Sequence, residues 1–475
     1  MLNRKPLALC LAALFVFCVS GCSESDNQLN YDDNSGNNND SSGDSGDSAF
    51  IECISLDNFS DKAFGKYAML WWDLDDDKCI SRSEASKITE IPKQAFKNNN
   101  IIESIDDLNL FPSITTLREE AFAGCINIKT ANLKYIQIVE QDTFSGTTLT
   151  SISLPKATYV ESDAFRGVSS LTSVDLPNVE TVGENAFSGT SLKSVSLPKA
   201  TYVGGGAFFY VSSLTNVDLP NVETVSDGRG YGAFERTSLE SVSLPKATNV
   251  GWCAFMKVST LKTLDLPNVE IVDNNAFAGT SLESVSLGKV TSVNGTLFSS
   301  IQTLKNVDLP NVETVGENAF KGTSLESVSL PKATTVGNHA FYNVSTLKTL
   351  DLPNVEIVGD GAFVGTALTN VSLPKATNVG AAAFYNVSTL KTLDLPMATT
   401  IGEDCFPVYN SSSGKHRILL DTLYLTSPLP ITMDTTTGMS TTATSTKLYL
   451  NINKKSDFSG RRWNGITWKS ITFVE

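Results

Sequence analysis

Residues 73 to 84 are the stretch whose side-chain types and spacing could hold an ion: D-L-D-D-D-K-C-I-S-R-S-E. Counted from Asp73, carboxylates fall at the first, third and fifth places (Asp73, Asp75, Asp77), Ile80 at the eighth, Ser81 at the ninth and Glu84 at the twelfth. Hard cations such as calcium take about six to eight oxygens, and this spacing wraps them round one ion while Cys79 offers its backbone carbonyl. Elsewhere the chemistry thins out. The chain has 2 His, His339 and His416, far apart, and no nucleophile elbow, paired His or glycine loop between strand and helix is visible. Asp and Glu are plentiful but recur in register, whereas a catalytic carboxylate pair should be singular. The expectation is a protein that is not an enzyme.

The loop must be held by what flanks it. From Ser60 through Phe64, Tyr67 and Leu70 to Trp72 the apolar residues fall at helical spacing. Helix and loop together resemble one EF-hand. In the sixth place, where that family has Gly for a left-handed turn, this chain has Lys78. That costs about 1–2 kcal/mol and brings an ammonium near the site. Two readings stay open: a weak structural calcium site suited to extracellular ion levels, or an acidic turn that has lost its metal.

Beyond the loop a Leu-Pro step and an Ala-Phe step return every 21 or 22 residues. The Leu falls at Leu133, Leu154, Leu176, Leu197, Leu219 and so on to Leu395, with a Phe eleven residues after nearly every one, as at Phe144, Phe165 and Phe187. A unit this short cannot fold alone, so each must bury its apolar side on its neighbours. The Val-x-Leu step has period two, which points both side chains inward from a short strand. Pro after the Leu removes a ladder donor and ends that strand. The motif L-x-x-V-x-L-P…V-G-x-x-A-F resembles the leucine-rich repeat, specifically its BspA-like subfamily, over roughly residues 85 to 450. The resemblance implies a right-handed leucine-rich-repeat solenoid with one short strand per 21–22-residue rung and about 16 rungs.

Two kinds of rung alternate, V-S-L-P-K-A-T and V-D-L-P-N-V-E. Asp precedes the Leu at Asp175, Asp218, Asp265, Asp308, Asp351 and Asp394, with Ser between. With rungs about 4.8 Å apart, like charges then stand about 10 Å apart, near the screening length. This reads as a solvated face that avoids like-charge stacking, or as a patterned face for a ligand. One rung is four residues longer, S-D-G-R-G-Y-G, and would expose Arg229 and Tyr231. Tyr342 and Tyr385, like Phe209 and Tyr210, follow the inward Phe, as an exposed stripe or as cover for the edge of the core.

The ends differ from the body. Arg4 and Lys5 precede an apolar run from Leu7 to Val19, typical of a secretory signal. The run ends Val19-Ser20-Gly21-Cys22, which looks like a bacterial lipobox and implies lipidation of Cys22; a simple secretory cleavage site is the alternative. Residues 23 to 48 carry 7 carboxylates and no cation, with one Leu and one Tyr, and read as a disordered tether. At the far end Leu423-Tyr424-Leu425 and Leu448-Tyr449-Leu450 look like divergent strands, with Trp463 and Trp468 beyond them. Cys125, Cys253 and Cys405 lie too many rungs apart to bridge, whereas Cys53 and Cys79 could. The expected organisation is a lipoprotein signal peptide over 1–21, an acidic tether over 22–48, an EF-hand-like cap over 49–90, the solenoid over 91–450 and a C-terminal cap over 451–475.

A formal net charge of −15 argues against nucleic acid and against an anionic membrane surface as partner. The membrane would be met through the lipid anchor only. The combined expectation is an outer-membrane lipoprotein exposed at the cell surface. Its repeat face, roughly 75 Å long, would bind a protein of a host matrix or a microbial surface. BspA-like proteins are linked as a family to such adhesion, and the resemblance extends that role here. A glycan or mucin ligand, or an architectural coat role without a ligand, are the alternatives.

Overall fold

The computed structural model describes residues 53–226, 228, 230–410, 416–418, 420–427, 429, 431–433, 441–451, 462–463 and 466–474. The expected signal peptide, Cys22, the tether, residues 49–52 and Arg229 lie outside them.

From Thr130–Asn132 onward the turns make the expected strand and add a second, shorter one. In one turn Ser194–Ser196 is a three-residue strand with Val195 buried between two exposed serines, and Leu197 is fully buried after it. Pro198 has no N–H, so the ladder stops there and the chain bends. The two-residue strand Tyr202–Val203 follows, with Val203 buried. Stacking these second strands in parallel gives a nine-stranded ladder and then a seven-stranded one. The result is the right-handed solenoid that the repeat predicts.

The three-residue strands behave differently. Over most of the stack they pair only two by two: Ser194–Ser196 with Asn216–Asp218, Ser241–Ser243 with Thr263–Asp265, Ser284–Ser286 with Asn306–Asp308. A serine rung therefore joins the aspartate rung that follows it, and the ladder opens before the next serine rung. The central apolar residue registers this break. Val195, Val242 and Val285 are buried, whereas Val217, Leu264, Val307 and Leu350 of the aspartate rungs are only partly so.

After the second strand the chain must return across the turn in a few residues, which requires left-handed backbone. The residue two before the inward Phe has positive φ at Asp163, Asn185, Asn275, Asn318 and His339. Asn and Asp adopt this conformation at low cost, which accounts for their frequency there. A second left-handed position two after the Phe is taken by Gly124, Gly146, Gly167 and Gly189.

Those two bends hold the Phe ring inward. From Phe96 through Phe122, Phe144 and Phe165 to Phe384, each ring stacks on the next at 5.1–6.0 Å between centroids with planes 5–18° apart. This column is the centre of the core. At its near end helix α1 (Lys62–Trp72) closes it, with Phe64 at 5.5 Å and Trp71 at 5.1 Å from Phe96. Asp61 caps α1 through Ala63 N and Phe64 N and also accepts Glu103 N and Ser104 N, so one carboxylate fastens helix to solenoid. Burial works against its charge, but these four amides outweigh it and hold its pKa below the ordinary value.

At the far end Thr422–Leu425 pairs with the eleven-residue strand Thr441–Asn451, which in turn pairs with Ile466–Val474. Trp468 is fully buried there. Among the described residues no helix is long and apolar enough to cross a membrane.

Candidate functional site

Helix α1 leads into the acidic loop, and the short strand Ile80–Ser81 leads out of it into helix α2 (Arg82–Lys87). Ile80 pairs with Ile54 and Ser81 with Cys53 in an antiparallel bridge. Cys53 and Cys79 are disulfide-bonded, with Cα atoms 5.3 Å apart, so the loop is tied to the strand that precedes α1.

Of the four carboxylates expected to surround an ion, the fold gathers three. Ligand atoms of Asp73, Asp75 and Glu84 lie within 4.8 Å of one another. Asp77 instead accepts the Cys79 amide at 2.8 Å through Oδ1, and the Ser81 hydroxyl is engaged with Glu84 in the N-cap of α2. Lys78 does take the left-handed conformation expected of the sixth place, with φ 69°, and its amide donates to Asp73 Oδ2 at 2.9 Å.

The two anchoring carboxylates differ in electrostatics. Burial raises the Glu84 pKa, but donors from Ser81 N, Leu74 N and Ser81 Oγ reverse this and leave it below the ordinary value. Burial also raises Asp73, the Asp77 and Glu84 charges add to it, and the Lys78 and Asp76 amides do not compensate. Asp73 Oδ1 is buried without a hydrogen-bond partner. An acceptor-only oxygen in that state is one a cation would satisfy, so the residues present fit a hard metal ion.

Along the solenoid most of the polar columns are engaged with one another. The Ser hydroxyl of each serine rung donates to the Asp of the next rung: Ser153 to Asp175, Ser196 to Asp218, Ser243 to Asp265, and onward to Ser372 and Asp394, at 2.7–2.9 Å. Asn178, Asn221, Asn268 and Asn354 donate to the carbonyl of the Pro in the rung before. Lys289, Lys332 and Lys375 then donate to the Asn of the rung before them at 2.6–2.9 Å. The Asp/Ser and Lys/Asn alternations are thus clasps between neighbouring turns, a role finer than the avoidance of charge repulsion.

The aromatic residues singled out in the sequence do not converge. Tyr231 is exposed and stacks on Phe209 at 3.9 Å. Tyr342 and Tyr385 lie several turns farther along and are half-buried. Tyr342 packs beside Lys321, whose ammonium is 5.3 Å from the ring centre, and edge-on to His339. His339 itself occupies a left-handed bend, and the free thiols of Cys125, Cys253 and Cys405 are buried. Burial pushes those thiols up to about 11, about 11 and about 12, far from a nucleophile's range.

The feature that sequence reading missed is at the far end of the serine–aspartate column. In register after Asp394 comes Tyr424, and after it Tyr449, the two rings stacked at 4.5 Å. The signal was present as a tyrosine in a place held elsewhere by Ser or Asp.

The repeat profile of the BspA type leucine rich repeat region matches residues 78–146, 137–229, 229–348 and 313–418, in 6 copies. The chain belongs to the BspA-type leucine-rich-repeat family. That family is one of repeat scaffolds and indicates no catalytic class. Among solved structures, a leucine-rich repeat protein from Bacteroides ovatus superposes with a TM-score of 0.55 at 20% identity, over 68% of this chain and 87% of that one. It supports the solenoid fold of the BspA-type repeats. A leucine rich cell surface protein from Faecalibacterium prausnitzii (TM-score 0.32, 20% identity, 57% of this chain and 80% of that one) superposes too loosely to carry an argument. The same holds for the pneumococcal vaccine antigen PcpA (0.36, 17%, 73% and 85%). No curated protein matches the chain.

Proposed function

We propose that this BspA-type repeat protein is a cell-surface binding protein whose solenoid docks a protein partner. Adhesion to host matrix or microbial surface proteins is the role that fits best. The observation that carries this reading is the division of labour within each turn. The Phe column and the inter-turn clasps make a long, rigid body, and its outward faces are left free of catalytic machinery among the described residues. Such preorganised surfaces bind by shape, hydrogen bonds and charge. The lipobox-like Cys22 and the acidic tether supply the anchor and reach, and the charge of −15 disfavours nucleic acid. Asp73, Asp75 and Glu84 would hold a calcium ion whose role is to stiffen the cap over Phe96. Glycan binding is the second reading, favoured by the exposed Tyr231 stacked on half-buried Phe209.

The test is solid-phase capture of purified matrix and microbial surface proteins by the body, residues 49–475, against the tether peptide 23–48. Saturable capture by the body alone supports the proposal; equal capture by the tether defeats it. Glycan-array binding lost in Tyr231→Ala would favour the second reading.

A further inference from the structure

Between the aspartate rung ending at Asp351 and the serine rung beginning at Asn370 the three-residue ladder is open, as it is after other aspartate rungs. Here the opening becomes an open groove of about 590 Å³, lined by Leu350, Asp351, Asn370, Pro374, Asp394 and Tyr424 among others. Two features set it apart from the openings earlier in the stack. Tyr424 replaces Ser or Asp in the column, so a half-buried aromatic ring walls one end. Tyr449 stacks on it from the next turn and holds it in place. As at the other serine–aspartate pairs, the carboxylates of Asp351 and Asp394 each accept a serine hydroxyl through Oδ2, from Ser329 and Ser372, which leaves their Oδ1 atoms available, that of Asp394 beside the Tyr424 end of the groove. No Lys or Arg is among the described residues that line the groove.

We infer that this groove is a receptor for an arginine side chain presented by a basic segment of a partner protein. The guanidinium would lie against the Tyr424 ring and fork onto Asp394, and its aliphatic stem would run along the groove toward Ser372. The chemistry of each part points the same way. A planar, weakly hydrated cation is attracted to the face of a tyrosine ring and pairs with a carboxylate through two donors. An ammonium can sit over the ring but makes neither the planar stack nor the two-donor fork, and a neutral sugar could hydrogen-bond the carboxylates but would leave their charge unneutralised. Ser372, by fixing Oδ2 of Asp394, orients the carboxylate before the ligand arrives. The inference rests on the proposal of a protein partner and names the residue that partner would present.

The test uses the body, residues 49–475, titrated by fluorescence anisotropy with a labelled Gly-Arg-Gly-Arg-Gly peptide and its lysine and citrulline counterparts. The expected result is binding of the arginine peptide at least about fivefold tighter than either counterpart. Tyr424→Leu and Asp394→Asn should each weaken it about fivefold, with circular dichroism and melting temperature unchanged. Asp308→Asn, the same column position several turns away, should leave it unaltered. Equal affinity for arginine and citrulline peptides overturns the inference, as does an equal loss in Asp308→Asn. Binding of chitotetraose that is lost in Tyr424→Leu would assign the groove to glycans and also overturn it. If Tyr424→Leu abolishes peptide discrimination while capture of a matrix protein persists, the groove binds arginine but is not that protein's main contact. If neither variant alters the peptide affinity while capture persists, this inference fails and the proposed function stands.

Discussion

Ser196 Oγ donates to Asp218 Oδ2 at 2.8 Å, from one turn of the solenoid to the next. The same bond recurs from Ser153–Asp175 to Ser372–Asp394, always inside a strand pair and never across the gap between pairs. A two-turn unit is therefore the structural period, although the core repeats every turn.

That period makes the placement of charge testable. Ser196→Asp would put a carboxylate in the column between Asp175 and Asp218, about 4.8 Å from Asp218 within the strand pair rather than at the spacing of about 10 Å that now separates like charges. Like charges directly opposite on neighbouring strands cost up to about 1 kcal/mol. Denaturant midpoints should fall by that amount at low ionic strength and recover in about 1 M NaCl, where the screening length is about 3 Å. A loss that salt does not relieve would mean that steric fit, not charge, sets the alternation.

The Phe column should dominate stability. Phe187 is fully buried between Phe165 and Phe208, at 5.1 and 5.4 Å. Phe187→Ala removes a ring that has no space to be replaced by water, at an expected cost of about 3–5 kcal/mol in guanidinium unfolding. Phe187→Leu should cost less than half of that. A cost under about 1 kcal/mol for the alanine variant would show that the turns hold together through their backbone ladders instead.

The Cys53–Cys79 bond closes a stretch with a sequence separation of 26, which corresponds to about 3.5 kcal/mol of unfolded-chain entropy. Because α1 covers Phe96, the effect should be confined to the near end of the stack. Limited proteolysis of Cys53→Ser with Cys79→Ser should show faster cleavage before residue 90 and no change beyond the first turns. Uniform acceleration along the chain would contradict that.

The acidic loop yields a pH-dependent expectation. Glu84 has a folded pKa below its ordinary value, so its amide bonds stabilise the fold above that range and fade as pH falls through the folded value. Asp73 has a raised value, so its ionisation penalises the fold as pH rises through that value. A bound calcium ion would favour ionised Asp73 and cancel this penalty. Millimolar calcium should raise the melting temperature by about 2–4 °C at pH 7 and by less at about pH 4. Glu84→Gln should reduce the rise at pH 7. No rise in the parent protein at either pH would mean that the loop holds no metal.

Much of this was legible in the chain because the repeat reports the core directly. The spacing of Leu176, Leu197 and Leu219 and of Phe165, Phe187 and Phe208 requires identical burial in every turn, and they are all buried. The Asp and Ser alternation was equally visible, but its purpose was not. Whether Ser196 meets Asp175 or Asp218 depends on which side of the rung the ladder opens, and nothing local distinguishes the two. In the acidic loop the spacing named Asp77 and Ser81 together with Asp73, Asp75 and Glu84. Their hydrogen bonds to Cys79 N and Glu84 depend on backbone turns that spacing does not encode.

The amino-acid sequence alone determined that the chain stacks, how often, and which residues face inward, because burial of a periodic apolar set admits one arrangement per turn. Tertiary structure decided the rest. It joined the turns in pairs, turned Lys and Asn columns into clasps, and brought Tyr424 beside Asp394, which lies 30 positions earlier in the chain, at one end of a groove that reaches to Leu350, 74 positions earlier. Contacts between turns depend on register and on where a ladder breaks, and those are properties of neighbours in space rather than of neighbours in sequence.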